Sequence, residues 1–279
     1  MKLCNNLFFC TVIGVFLSSS LMSQDQSMIR DIVIPATNEH DTIKFGLMVP
    51  PSYKESGRKY PVIYYLHGLN GYYSDWNAQE VAEFLTLYMK DEVITECIVV
   101  FPDGGEGFWC NHYDEDPLLE DEIIKFLIPY IDQNYSTDMG NRLIMGWSAG
   151  GFGAMFLFSK HSTLFKAVFS LDVPIVTWED FVNFQGTRPK IVNNSEYYYE
   201  HCSPNEWMAR NRNVILEKKD TAIFIAAAML APFHQDFLSI LKEEEIPFHY
   251  REIACDHEFN CVFSESGDDL LIFLSKSLE

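Results

Sequence analysis

A single serine stands between glycines in the segment "LIMGWSAGGFGA", residues 143–154. Ser148 follows a short apolar run and precedes a run of small residues. A sharp turn from a strand into a helix would strain the serine backbone and point its hydroxyl outward at the carboxyl edge of a sheet. The pattern predicts that Ser148 is a nucleophile. The alternative is an ordinary serine at the start of a helix.

A nucleophilic serine needs hydrogen-bond donors that are already in place where negative charge develops on the attacked carbonyl. One predicted donor is the backbone N–H of Ala149, at the start of the following helix. The other is the backbone N–H of Leu69, in the loop after the buried run "IYYLHG". His67 lies in that loop, and we interpret it as a residue that shapes the loop rather than as a base.

The serine also needs a base, and histidine is the usual one near neutral pH. The sequence has eight histidines, and chain order selects among them, because the base should lie between the last core strand and the C-terminal helix. His257 has that place in "EIACDHEFNC", between Asp256 and Glu258. We therefore expect His257 to accept the proton of Ser148.

Short apolar runs that alternate with helical segments must position these groups. Runs such as "PVIYYL" and "AVFSL" are apolar on both faces, which is typical of parallel strands covered by helices. The pattern predicts an α/β fold with a mostly parallel sheet of about eight strands flanked by helices, and an antiparallel first pair at one edge. The predicted strands are 32–34, 43–49, 62–66, 98–101, 143–145, 167–171, 222–227 and 248–253. The predicted helices lie near 78–90, 118–134, 149–161, 205–217, 234–245 and 268–277.

The chain is predicted to form a single domain over residues 24–279, with an aromatic-rich insertion at about 173–220 after the sixth strand. Residues 1–23 read as a signal peptide, because Lys2 precedes a short apolar run and then small residues. That run is too short for an ordinary transmembrane helix. We expect a periplasmic or secreted protein without a membrane span in its mature form.

Composition limits the partners. The formal net charge of −20 argues against nucleic acid and against a strongly polyanionic substrate, and it favours a neutral one. No spacing of cysteines with nearby histidines indicates a metal site. Cys255 and Cys261 flank His257, so a disulfide is possible in an oxidising compartment, but plain buried cysteines are the interpretation that we favour.

From about residue 33 onward the chain resembles the putative-esterase family of α/β-hydrolases, which includes feruloyl and acetyl-xylan esterases, S-formylglutathione hydrolases and mycolyltransferases. The resemblance implies the α/β-hydrolase fold and a serine ester hydrolase without a metal or organic cofactor. It also implies that Ser148 is the nucleophile, His257 the base, and Leu69 and Ala149 the oxyanion donors. The matching motifs are "YPV" with "YLHG", "DW", "FPDG", "LIPYI", "GWSAGGFGA" and His257.

The third member of the triad departs from this family. The resemblance implies that the triad acid is the Asp of a G-x-x-D turn after the penultimate strand. In this chain Ala228 occupies the Gly position of that turn and Ala231 occupies the Asp position. We expect Asp172, at the end of the preceding strand, to replace it. The alternatives are a loop-capping Asp172 beside a Ser–His dyad, or a fold that binds without catalysis.

The resemblance and the predicted secretion favour acetyl or feruloyl esters of plant carbohydrate as substrates. Trp76, Trp109 and Trp178 are candidates to stack on a sugar or feruloyl ring, although aromatic side chains more often belong to the core. A catalytically impaired carbohydrate-binding relative and an acyltransferase are the alternative functions. The sequence does not indicate the oligomeric state.

Overall fold

The computed structural model describes residues 29–36, 42–105, 107–185 and 192–279. The predicted signal peptide lies outside the described residues. One sheet of eight strands forms the centre of the molecule, and every predicted strand is confirmed. The strands are β1 Arg30–Pro35, β2 Thr42–Met48, β3 Tyr60–Leu66, β4 Ile98–Pro102, β5 Thr137–Trp147, β6 Ala167–Leu171, β7 Ala222–Ala227 and β8 His249–Glu252.

The strand order is β1-β2-β4-β3-β5-β6-β7-β8. The β1–β2 pair is antiparallel and most of the sheet is parallel, as predicted. The β2–β4 pair is also antiparallel, which was not predicted. Because β5, β6 and β7 are parallel neighbours, the turns that follow them emerge side by side at one edge of the sheet. Ligands of open parallel sheets bind at this carboxyl edge.

Helices cover both faces. They are α1 Tyr53–Ser56, α2 Trp76–Lys90, α3 Leu119–Asp121, α4 Ile128–Asn134, α5 Ala149–Lys160, α6 Trp178–Gln185, α7 Ser195–Tyr197, α8 Pro204–Arg210, α9 Arg212–Glu217, α10 Gln235–Glu243, α11 Phe259–Glu265 and α12 Gly267–Ser277. The predicted helix near 118–134 is interrupted by a π-helical segment, Glu122–Leu127, and the one near 205–217 is two helices. α11 was not predicted, because it is short. None of the helices in the described ranges combines the length and apolar character that crossing a membrane requires.

Alternation along the strands builds two cores. Val62 and Tyr64 of β3 belong to the core on one face of the sheet, and Ile63 and Tyr65 belong to the core on the other. All four side chains are fully buried or nearly so. This double burial explains why β3 is apolar throughout, and it fixes the positions from which the loops at the carboxyl edge leave the sheet.

Candidate active site

Ser148 lies in a strained turn between β5 and α5. Its φ of 54° and ψ of −119° lie outside the usual range of a side-chain-bearing residue. The turn requires glycine on both sides of the serine. A Cβ at Gly146 would lie 2.3 Å from the carbonyl oxygen of Gly150, and a Cβ at Gly150 would lie 2.0 Å from that of Leu66. The backbone N–H of Ser148 donates to the Leu171 carbonyl at 2.9 Å, which ties the turn to β6.

His257 lies on the loop between β8 and α11 and faces Ser148. Its Nε2 is 2.9 Å from Ser148 Oγ, and its Nδ1 is 2.7 Å from Asp172 Oδ2. The imidazole also stacks on the Trp147 indole, with ring centroids 4.5 Å apart and planes 17° from parallel. Sequence analysis did not find this stacking partner, although Trp147 precedes the serine directly. The three contacts fix both the ring plane and the direction of its two nitrogens.

Asp172 follows β6 directly and is completely buried. Its Oδ1 accepts hydrogen bonds from the backbone N–H groups of Ala228 at 2.7 Å and Leu230 at 2.9 Å. A buried carboxylate needs such partners to offset its lost hydration. The turn after β7, where the family resemblance placed the acid, thus supplies two donors to a carboxylate on the neighbouring strand. Oδ2 of Asp172 remains directed at His257.

A buried histidine supports the same turn. Nε2 of His234 lies 2.5 Å from the carbonyl oxygen of Val173, the residue after Asp172. Burial lowers the pKa of His234 below its ordinary value, and the hydrogen bond to Val173 offsets this only in part. A neutral imidazole can still donate one N–H to that carbonyl. His234 therefore links the start of α10 to the segment that carries Asp172.

Leu69 and Ala149, the predicted oxyanion donors, both line the cavity that contains Ser148. The Leu69 loop is a tight turn in which the Gly71 N–H donates to the Gly68 carbonyl at 3.0 Å. His67 is buried beneath it. Its Nε2 accepts from the Gly104 N–H at 2.9 Å, and its Nδ1 is 2.7 Å from the Gly68 carbonyl oxygen. These contacts fit the loop-shaping part that the sequence suggested for His67.

The cavity beside Ser148 has a volume of about 850 Å³ and an aromatic lining that includes Tyr72, Trp76 and Phe259. Its charged lining residues are Asp75 and Glu258, and the described residues that line it include no lysine or arginine. The Trp76 side chain is 55% exposed at this cavity and meets Phe259 edge to face, with ring centroids 5.5 Å apart. The described lining thus offers flat apolar surface and neither a lysine nor an arginine for an anionic ligand.

Two of the three tryptophans that we expected at the substrate lie elsewhere. Trp109 is 1% exposed, because its indole packs against the His67 ring at 4.8 Å beneath the loops. Trp178 packs on Tyr198 in the segment between β6 and β7 and is not among the cavity-lining residues. The expectation that Trp109 stacks on substrate is therefore wrong, because its indole is buried, and Trp178 does not line the cavity beside Ser148. Of the three, Trp76 alone lines the cavity.

Cys255 and Cys261 form a disulfide, contrary to the plain buried cysteines that we favoured. The bond closes a short loop that contains His257. Cys97, Cys110 and Cys202 are buried free thiols. The sequence held a signal for the bond, since two cysteines six residues apart flank the predicted base, but spacing alone could not show that their side chains face each other.

The strand order and the position of Ser148 define the class as an α/β-hydrolase. Comparison with known sequences then identifies the family: the family described as "Putative esterase" matches residues 37–219, and the chain belongs to it. The match contains Ser148 and Asp172 and ends before His257.

Two curated relatives from Mycobacterium tuberculosis, Esterase MT1326 and Esterase Rv1288, are each 30% identical over 143 residues. The match covers 49% of this chain and 30% of each relative, so the chain spans about three tenths of their length.

Among solved structures, a ferulic acid esterase superposes with a TM-score of 0.74 at 18% identity, over 89% of this chain and 97% of that one. An S-formylglutathione hydrolase from Agrobacterium tumefaciens superposes with a TM-score of 0.70 at 19% identity, over 89% and 95%. At such identities these likenesses establish the fold.

Proposed function

We propose that this protein is a periplasmic or secreted serine carboxylesterase that hydrolyses neutral acyl esters through an acyl-Ser148 intermediate. The observation that carries the proposal is the unbroken series of hydrogen bonds from Ser148 Oγ through His257 to Asp172. Membership of the putative esterase family supports the same reaction class. We take acetyl or feruloyl esters of plant carbohydrate as the substrates.

In this mechanism Ser148 Oγ attacks the ester carbonyl while His257 Nε2 takes its proton. Asp172 holds the Nδ1–H tautomer and stabilises the imidazolium that forms. The N–H groups of Leu69 and Ala149 stabilise the oxyanion. The imidazolium then gives its proton to the leaving alcohol oxygen. His257 next deprotonates a water molecule, whose oxygen attacks the acyl carbon, and the imidazolium returns this proton to Ser148 Oγ as the acid leaves. No step requires a metal or an organic cofactor.

Backbone strain argues against the alternative of a relative that binds without catalysis. Ser148 and Asp172 both have positive φ values, 54° and 38°. Such conformations cost roughly 1–3 kcal/mol each and cluster at functional sites. A binding protein would have no need of a strained serine hydrogen-bonded to a histidine–carboxylate pair. The change at Ala228 and Ala231 therefore fits a relocated acid better than a lost one.

Charge and shape support a neutral substrate. The net charge of −20 and a cavity whose described lining includes Asp75 and Glu258 but neither lysine nor arginine disfavour an acid such as S-formylglutathione, which carries two carboxylates. The exposed Trp76 face suits a sugar or feruloyl ring. We expect Trp76→Ala to raise KM for methyl ferulate about fivefold, with less effect on p-nitrophenyl acetate, because an acetyl group has no ring to stack.

Two observations support export of this protein from the cytosol. The N-terminal pattern is that of a signal peptide, and disulfides such as Cys255–Cys261 are rare in cytosolic proteins. N-terminal sequencing of the protein recovered outside the inner membrane should begin near residue 24. An intact N-terminus on that protein would contradict cleavage.

The test is hydrolysis of p-nitrophenyl acetate and methyl ferulate by the purified protein beside Ser148→Ala. We expect the variant to lose at least about a thousandfold in kcat. Exposed Ser264→Ala is the matched control and should stay at the wild-type rate. Equal rates for wild type and Ser148→Ala would overturn the proposal. An added alcohol that diverts most of the acyl group from free acid would favour the acyltransferase alternative.

A further inference from the structure

We propose that the Cys255–Cys261 disulfide positions His257, so that full activity requires the oxidised pair. This inference rests on the proposed function, because it gives the bond a part in that same site. The two sulfur atoms touch none of the reacting groups directly. Their effect is on the loop that presents the imidazole to Ser148 and Asp172.

The bond joins two differently anchored segments. Cys255 follows β8 by three residues, and Cys261 lies in the first turn of α11. Their Cα atoms are 6.0 Å apart. α11 is held in the core by the buried side chains of Phe259, Val262 and Phe263. The disulfide therefore fastens the beginning of the His257 loop to a packed helix.

The loop has few other anchors. Ala254, Asp256 and Glu258 are exposed. Buried Ile253 anchors the start of the loop, because its N–H donates to the Ala227 carbonyl at 2.7 Å. Beyond Ile253 the N–H bonds are local: the Cys255 N–H donates to the Ile253 carbonyl at 2.9 Å, and the Glu258 N–H to the Asp256 carbonyl at 2.7 Å. Exposed segments with such bonds are the ones that open most easily. Without the disulfide, the part of the loop after Ile253 would depend mainly on the side-chain contacts of His257.

Those side-chain contacts also depend on the bridged loop. The Trp147 indole that stacks on His257 meets the Phe259 ring at 80° with centroids 5.5 Å apart. Phe259 itself lies between the two cysteines. Because Phe259 is anchored in the core with α11, a shift of the loop would move the imidazole relative to the Trp147 indole that Phe259 contacts. Displacement of a catalytic group by about 1 Å can cost on the order of a hundredfold in rate.

The bond can be reduced in place because both cysteines are only half-buried. With dithiothreitol, the S–S bond breaks and each sulfur takes one hydrogen, while the reagent closes to its cyclic disulfide. Within the described residues the remaining cysteines are free thiols, so the reagent has this one disulfide to act on. Its effect on the enzyme can therefore be assigned to this loop.

The test compares the full-length wild type with the double variant Cys255→Ser, Cys261→Ser, well below both melting temperatures. We expect kcat to fall roughly 10- to 100-fold while KM changes less than about threefold, since the imidazole loses its alignment but most of the cavity wall is unchanged. Dithiothreitol should lower wild-type kcat equally and leave the double variant unaffected. A bond that only stabilises the fold would lower the melting temperature and leave kcat unchanged, and kcat within twofold of wild type would overturn the inference.

A second readout does not need turnover. The His257 Nδ1–H shared with Asp172 should give a far-downfield proton NMR signal in the wild type, and this signal should broaden or vanish in the double variant. An unchanged signal would overturn the inference even if no tested ester is a substrate. If the wild type shows the signal but hydrolyses none of the tested esters, loss of the signal in the double variant would support the inference and reject the proposed function instead.

Discussion

A buried carboxylate that is hydrogen-bonded to a histidine lies near each end of helix α5, although neither carboxylate belongs to that helix. At the N-terminal end, Asp172 meets His257 at 2.7 Å beside Ser148. At the C-terminal end, Glu120 meets His161 Nε2 at 2.6 Å. The two carboxylates differ in what holds their other oxygen. Two backbone N–H groups hold that of Asp172, whereas Lys160 Nζ, at 2.8 Å, holds that of Glu120.

In the proposed mechanism, this difference separates a carboxylate that takes part in catalysis from one that stabilises the fold. The Lys160 ammonium cancels the charge of Glu120 and joins α3 to α5, and Lys160 also donates to the His201 carbonyl at 3.1 Å. Backbone dipoles stabilise the Asp172 carboxylate without cancelling its net charge. That charge remains available to stabilise an imidazolium on His257. A carboxylate–histidine pair therefore has a different role in each of the two places.

The largest expected effect comes from Asp172→Asn. An asparagine can accept the same two backbone hydrogen bonds and tolerates a positive φ, so the fold should persist. Its amide cannot stabilise the imidazolium or hold the required tautomer of His257. We expect kcat to fall about 10⁴-fold. Steady-state ester hydrolysis measures kcat, and circular dichroism verifies that the variant is folded.

Asp256→Asn is the matched control for Asp172→Asn. Asp256 is also next to His257 in sequence but is exposed, and we expect a change of less than about twofold. A near-normal rate for Asp172→Asn, or a large loss for Asp256→Asn, would reject Asp172 as the triad acid. The first of these results would favour the Ser–His dyad.

Substitution of Glu120 should have the converse effect to Asp172→Asn: it should lower stability and leave activity unchanged. Breaking a buried ion pair from one side costs about 3 kcal/mol, so Glu120→Gln should lower the melting temperature by roughly 6 °C and leave kcat unchanged. Calorimetry and the ester assay measure the two quantities. Exposed Glu83→Gln should stay within about 0.5 kcal/mol of wild type. Loss of activity without loss of stability in Glu120→Gln would contradict the separation of roles.

The same variant carries a pH signature. Burial by itself raises the pKa of the Glu120 carboxyl, but the hydrogen bond from His161 and the Lys160 ammonium together hold it below its ordinary value of 4.5. A lowered folded pKa contributes stability above the unfolded pKa, and this contribution is lost as the pH falls through the folded pKa. The stability advantage of wild type over Glu120→Gln should therefore be full at pH 7 and shrink below about pH 4.5. Urea unfolding across this range measures it, and a constant advantage down to pH 3 would contradict the assignment.

The smallest expected effect comes from a variant that returns the acid to the turn after β7. Ala231 follows Leu230, whose N–H bonds to Asp172, and it occupies the position where the family resemblance expects the acid. In the Asp172→Asn background, Ala231→Asp should recover about tenfold of the lost kcat, while Ala231→Asn should recover none. Equal rates for the two would mean that the turn after β7 cannot present a carboxylate to His257.

Short-range patterns predicted most of the fold. The strands were found because their apolar runs are local features, and β6 and β7 have the predicted bounds. Short α11 was missed, because its few residues carry too little helical periodicity. Trp109 and Trp178 were misplaced, because an aromatic side chain looks the same in sequence whether it lines a cavity or fills the core.

By itself, the sequence determined that Ser148 would stand at a strand-to-helix turn, because glycines at two fixed positions are a local steric requirement, and chain order then singled out His257. The sequence favoured Asp172 as the third member and left a Ser–His dyad open, and only the tertiary structure shows that this carboxylate meets the histidine. Asp172 and His257 are 85 residues apart, and their contact depends on β6 lying beside β7 with the turn of Ala228 and Leu230 bonded over it. The same holds for the ring of Trp147 and for the bond between Cys255 and Cys261, since each depends on where side chains point once the strands are in register.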